Sequence, residues 1–185
     1  MDLGKYHLHL HIGQRNIKTA LAATLCALTY FIFGRNPTFA CIGAIFGLGS
    51  DMASSRLNGG NRFFGTLIGG VLGMGLFRLY IIFYPEGGIH FPLLLFLFIG
   101  VVILIVVSQV CHWPGAIQPG GVVLCILLFN TPVETYLSYS IARILDTGIG
   151  VLFALLVNFL LPREKVIRFL EKLHMKHCAP LEKHL

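Results

Sequence analysis

Between residues 87 and 133 the chain runs for 47 residues without one Asp, Glu, Lys or Arg. A water-soluble domain turns its backbone to solvent every ten or twenty residues, and those exposed faces need charge. Across all 185 residues only 12% are charged and 56% are hydrophobic, with mean hydropathy +0.79. Ordinary globular domains are about 25% charged. This chain lacks the charge to cover itself with a wettable surface, so it reads as an integral membrane protein. In hydrocarbon each backbone polar group must be satisfied within its own segment, so long apolar runs imply helices.

The net charge is +6, and it sits at the ends. Residues 1–18 hold Lys5, Arg15 and Lys18 against Asp2, and residues 163–185 hold six basic and three acidic side chains. Basic flanks fit termini on the cytoplasmic side of a membrane and imply no nucleic-acid partner. No small-residue cleavage site follows the first apolar run, so that run is expected to be retained. The five cysteines form no C-x-x-C pair and read as small buried thiols.

Six apolar segments are expected, at 17–33, 37–50, 63–84, 91–110, 119–129 and 136–161. Residues 51–61 (DMASSRLNGGN) read as a polar loop, and Arg78 interrupts the third segment. Six spans return both termini to one side. Arg56 and Arg62 fall there too, while Glu86 and Glu134 fall opposite. The positive-inside rule is met by every arginine that the loops place, except Arg35. The second and fifth segments are short for spans of about 20 residues.

The chain repeats itself. NRFFGTLIGG at 61–70 and ARILDTGIGV at 142–151 share Arg62/Arg143, Thr66/Thr147 and Gly69/Gly150, each pair 81 positions apart, and Pro37 and Pro119 open the short segments. The expected organisation is a lead-in at 1–12, three-helix halves at 13–84 and 89–161, and a basic amphipathic tail helix at 162–185. An odd number of spans per half inverts one half against the other, as in many transporters. There, short Gly- or Pro-interrupted segments mark the binding site.

Each motif has a plain reading beside a functional one. Gly65, Gly69 and Gly73 form a small-residue stripe for close helix packing, within the subunit or between two copies. Arg62, at an expected helix start, is either a snorkelling anchor or an anion contact. Arg143 lies seven residues into the sixth segment, where a charge is expensive. It faces an aqueous path, pairs with Asp146 one turn on, or does both in turn. Thr66 and Thr147 place hydroxyls one turn beyond each arginine. Asp51 is expected to play a structural part, accepting from Arg56 or Arg62 or capping the next turn. Gln118, before Pro119, sits where unwound backbone would offer polar groups. His112 and Trp113 read as interfacial anchors. His7, His9 and His11 in HLHLH have an alternation that suits a metal in a strand, but with no acid or Cys beside them the preferred reading is an interfacial lead-in. No metal or cofactor is expected. The chain has no G-x-S-x-G, phosphate loop or H-E-x-x-H, so no enzyme is expected. Arginine is a poor base but a good planar partner for carboxylates.

Several stretches together resemble a known family: HIGQRNIKTALA at 11–22, NPTFACIGAIFGLGSD at 36–51, NRFFGTLIGGVLG at 61–73 and ARILDTGIGVLFALLVNFLLP at 142–162. They are similar to short bacterial members of the aromatic acid exporter (fusaric acid resistance-like) superfamily. The resemblance implies a multi-pass transporter of the bacterial inner membrane, both termini cytoplasmic. It also implies a lipid-embedded homodimer moving an aromatic or related organic carboxylate. Many relatives carry a cytoplasmic helical domain after the membrane part, whereas 24 residues follow Leu161 here. In this reading Arg62, Thr66, Arg143, Asp146, Thr147 and Gln118 handle the anion, and the apolar walls, with 15 Phe in the chain, suit its ring. The competing reading is a non-transporting membrane scaffold that binds a partner or anionic lipid.

Overall fold

A computed structural model describes residues 14–161. The HLHLH lead-in and the basic amphipathic tail lie outside the described residues. Within them the chain is helical: α1 (Gln14–Ile32), α2 (Thr38–Gly47), α3 (Met52–Phe83), α4 (Pro92–Val110), a 3-10 turn (Pro114–Ala116), α5 (Ile117–Asn130) and α6 (Tyr136–Leu160). Three of these, α3, α4 and α6, are long and apolar enough to cross a membrane, while α2 and the run 114–130 are apolar but shorter.

The expected loop at 51–61 is instead the first three turns of α3. Asp51 is the cause. Its carboxylate accepts from the Ser54 N–H at 2.7 Å, and the Ser54 hydroxyl sits 3.1 Å from the Asp51 N–H. This reciprocal pair satisfies two donors that a helix start leaves open. Ser55 and Gly59 are buried on the same helix, which holds the polar turns to the bundle. Arg62 is therefore eleven residues into a helix and not at its start. Nor does Arg78 interrupt α3, since it points outward from a continuous helix.

α1 and α4 end alike. In α1 the Arg35 N–H reaches Tyr30 O at 3.0 Å and the Gly34 N–H reaches Phe31 O at 3.1 Å, with Gly34 at φ +62°. In α4 the Trp113 N–H reaches Ser108 O at 2.8 Å and the His112 N–H reaches Gln109 O at 3.0 Å, with His112 at φ +57°. Both are Schellman ends, and each is followed by a proline. His112 and Trp113 therefore shape a helix end. Trp113 lies over Gly60 and Phe64 rather than acting as a surface anchor alone.

The helices pack in two cores. One core joins α1 and α2 to α6 through Ala22, Cys26, Tyr30, Ala40, Ala44 and Ala154. The other joins α4 and α5 to α3 through Leu93, Leu124, Leu128, Phe77 and Tyr80. The contact order fixes direction. Gly43 meets Thr147 and Gly47 meets Ala154, so α2 runs parallel to α6. Gly65 meets Pro119 and Gly73 meets Leu127, so α5 runs parallel to α3. Gly59 meets Val151, Gly70 meets Ile144 and Phe77 meets Tyr136, so α3 and α6 are antiparallel and cross near Thr66 and Thr147.

At both parallel seams backbone touches backbone. A methyl group on Gly150 would run into Ala40 O and sit 2.9 Å from Ala44 N. One on Gly69 would run into Gly120 O and sit 2.7 Å from Gly120 Cα. The stripe Gly65, Gly69, Gly73 faces α5 of the same chain. In lipid such close approach matters because dispersion replaces the hydrophobic drive between helices.

Candidate functional site

Two polar clusters lie along α1, one at each of its ends. At the end where α1 meets α2, Gly34 turns the chain back so that Arg35 returns over Tyr30, 5.7 Å from the ring centroid. From there Arg35 donates to Asp146 Oδ1 at 3.3 Å, and the Tyr30 hydroxyl donates to the same oxygen at 2.7 Å. Asp146 is buried, with 4% of its side chain exposed against 53% for Arg35. The expected Arg143–Asp146 pair is thus replaced. The single ion pair among the described residues is Arg35–Asp146. Arg35, the exception to the positive-inside rule, stands where it does because a buried acid holds it.

Arg143 lies one turn before Asp146. Its guanidinium carbon is 3.3 Å from the centroid of the Phe39 ring and 4.4 Å from that of Tyr139. Its Nε and Nη1 are buried with no hydrogen-bond partner. The face of the cation is therefore covered by aromatic rings, while two of its buried nitrogens keep donors without a partner. Phe39 is the second residue of α2, whose first N–H, that of Thr38, donates to Asn36 Oδ1 at 3.0 Å. The positive end of a helix dipole thus adds to the guanidinium, and both favour an anion.

Arg62 repeats this theme more weakly. Its guanidinium carbon is 5.5 Å from the Phe46 ring centroid, and its Nε is buried without a partner. One turn later Gly65 lies against Ala116 and Pro119, where the 3-10 turn runs into α5. Gln118 is inside that first turn and exposed, so the backbone there is helical and not unwound.

The two threonines are buried where α3 and α6 cross. Thr66 is 0% and Thr147 2% exposed, and Thr66 donates to Arg62 O at 2.9 Å. Two cavities stand out among the described residues, and neither is lined by these groups. One of about 200 Å³ lies by Phe77, Glu86, Phe129 and Glu134, and a groove of about 460 Å³ lies between α1 and α2 by Arg15, Thr19, Ala23 and Phe46.

Sequence reasoning missed a second polar cluster, at the opposite end of α1. Lys18, 3% exposed, donates to Asn158 Oδ1 at 3.0 Å, and Asn158 Nδ2 donates to Ser55 Oγ at 2.8 Å. The Gly49 N–H also reaches Ser55 Oγ at 2.8 Å. The signal was present: Lys18, Ala22, Cys26 and Tyr30 recur every four residues and form the buried stripe of α1. A lysine on that stripe points into the protein.

A helical bundle with three helices long and apolar enough to cross a bilayer has the character of a membrane protein. The chain belongs to the aromatic acid exporter family: the model for "aromatic acid exporter family member 1" matches residues 10–161. That is an exporter family and not an enzymatic one. Neither curated proteins nor solved structures gave a match.

Proposed function

We propose that the chain moves an organic carboxylate, aromatic in character, across the bacterial inner membrane, and that Arg143 is its main anion contact. The observation that carries this is the Arg143 guanidinium held between Phe39 and Tyr139 with Nε and Nη1 buried and without a partner. Each of the two atoms has an N–H to give to a carboxylate oxygen, and a ring attached to that carboxylate matches the aromatic wall. Thr147 and, in the other half, Arg62 and Thr66 form the pseudo-symmetric counterpart. Six membrane passes in two inverted halves, working as a homodimer with both termini cytoplasmic, complete the proposal. It draws support from the antiparallel α3 and α6, the matched Schellman ends, and the matched glycine seams at Gly69 and Gly150.

The scaffold reading draws on the buried Thr66 and Thr147 and on the absence of both arginines from the two cavities. One experiment separates the two. In proteoliposomes loaded with benzoate, Arg143→Gln is expected to lower efflux at least tenfold while the helical content stays intact. Unchanged flux in a folded Arg143→Gln protein refutes the anion role. No flux from the unaltered protein across a panel of aromatic acids favours the scaffold.

A further inference from the structure

The ion pair between Arg35 and Asp146 has features of a contact made to be exchanged. It is single, because only one guanidinium nitrogen reaches the carboxylate, and at 3.3 Å it is long for a charged hydrogen bond. Its acceptor, Asp146 Oδ1, is shared with the Tyr30 hydroxyl at 2.7 Å. Arg35 stands in the turn after Gly34, half-exposed, so its guanidinium can swing without disturbing a helix. Asp146 is fixed in the middle of α6 and buried. One turn away, Arg143 keeps two buried donors without partners although a carboxylate lies so near.

We propose that Arg35 and Asp146 form an outer latch over the Arg143 site, and that an incoming carboxylate opens it by taking Asp146's place on Arg35. This rests on the reading of Arg143 as the anion contact. The chemistry requires some such rearrangement. A carboxylate on Arg143 lies about one helical turn from Asp146, and two anions at that range in a site of low dielectric repel strongly. Two cations, Arg143 and Arg35, then face two anions. Arg35 is the mobile member, and its planar fork suits the ligand carboxylate as well as it suits Asp146. Moving Arg35 from Asp146 Oδ1 to the ligand leaves Tyr30 donating to Asp146, so the buried acid keeps one hydrogen bond. The turn carrying Arg35 joins α1 to α2, and the first turn of α2 holds Phe39, against which Arg143 is stacked. Releasing the latch therefore loosens the aromatic wall of the site as well as its charge. Arg35 acts here as a positioning and specificity residue, and Asp146 as its resting counter-ion.

The test is equilibrium binding of benzoate to the purified full-length chain in detergent, read for single and double variants. Asp146→Asn frees Arg35 and is expected to tighten benzoate binding about tenfold. Arg35→Gln is expected to weaken it about tenfold, with Arg35→Lys in between. In the double variant Arg35→Gln/Asp146→Asn the gain from Asp146→Asn is expected to disappear, because Asp146 acts through Arg35. A purely structural staple would lower stability in both single variants and tighten binding in neither, so unchanged or weakened binding by a folded Asp146→Asn protein overturns the latch. If Asp146→Asn does not fold, Arg35→Gln alone decides: unchanged affinity overturns it. Arg143→Gln reports separately. Retained binding there removes the anion site itself, whereas lost binding there with no gain in Asp146→Asn removes only the latch.

Discussion

Replacing Gly69 or Gly150 by alanine is expected to destabilise the protein, while the same change at Gly75 is expected to stabilise it. All three glycines lie inside helices, where exchange for Ala gains about 1 kcal/mol of helix propensity. At Gly75 a new methyl meets nothing within 4 Å, so that gain stands alone. At Gly69 the methyl would run into Gly120 O and sit 2.7 Å from Gly120 Cα, where ordinary contact begins at 3.4 Å. The obstacle is backbone on both sides, so no side chain can rotate away, and α3 and α5 must part by about 0.7 Å. A gap of 0.5–1 Å forfeits about a quarter to a half of each contact's dispersion energy along the seam. Overpacking of this kind costs about 1–3 kcal/mol, which exceeds the propensity gain. Gly150 meets Ala40 O and Ala44 N in the same way across α2 and α6. Against Gly75→Ala, each variant is expected to be about 2 kcal/mol less stable, roughly 30-fold in the unfolding equilibrium. The assay is SDS titration in mixed micelles followed by the fluorescence of the one tryptophan, Trp113, whose ring lies 4.6 Å from that of Phe64. If Gly69→Ala and Gly75→Ala shift the midpoint in the same direction, the backbone seam is not what holds these helices together.

Further outcomes follow from the helix ends and the buried cluster. Gly34→Ala is expected to lose about 1 kcal/mol, because φ is positive there although space is free, and His112→Gly is expected to gain about as much. The same titration checks both. Lys18→Met strands Asn158 Oδ1 at a cost of about 1–3 kcal/mol, and the double variant Lys18→Met/Asn158→Leu is expected to cost less than the two single losses together. The Asp51 carboxyl is held below its ordinary value by the Ser54 N–H and hydroxyl. It therefore supports the start of α3 at neutral pH, and that support is lost only as pH falls through the lowered value of this carboxyl. Amide exchange at 52–55 as a function of pH checks this.

What the sequence disclosed and what it hid divide along physical lines. Small-residue spacing and internal repetition are local signals, so Gly65, Gly69 and Gly73, the paired Arg-x-x-x-Thr-x-x-Gly motifs and the capping role of Asp51 were legible. Residues 51–61 were misread because polar composition was taken for a loop, whereas a capping box at Asp51 and Ser54 starts a helix whatever its later polarity. The pairing of Asp146 was misread for a different reason. Arg143 is its neighbour at one turn, but Arg35 reaches it from 111 positions away, and sequence distance carries no hint of that contact. Lys18 did betray itself by standing on the small-residue face of α1, and Arg35 stood out in the sequence only as an exception to the expected charge pattern.

The long reach of Lys18 has a consequence for how the protein is made. Its partner Asn158 lies 140 positions later, and Tyr30 waits for Asp146 across 116. A ribosome adding about 5–20 residues per second needs on the order of ten seconds to cover that interval. During that time α1 is in or at the bilayer with a lysine turned toward a companion not yet synthesised. It can pack on α2 first, through Ala40 and Ala44, but the hydrogen bonds at both of its ends close only when α6 arrives. A chain stalled before residue 146 thus holds α1 by its apolar stripe alone, without the two polar contacts to α6.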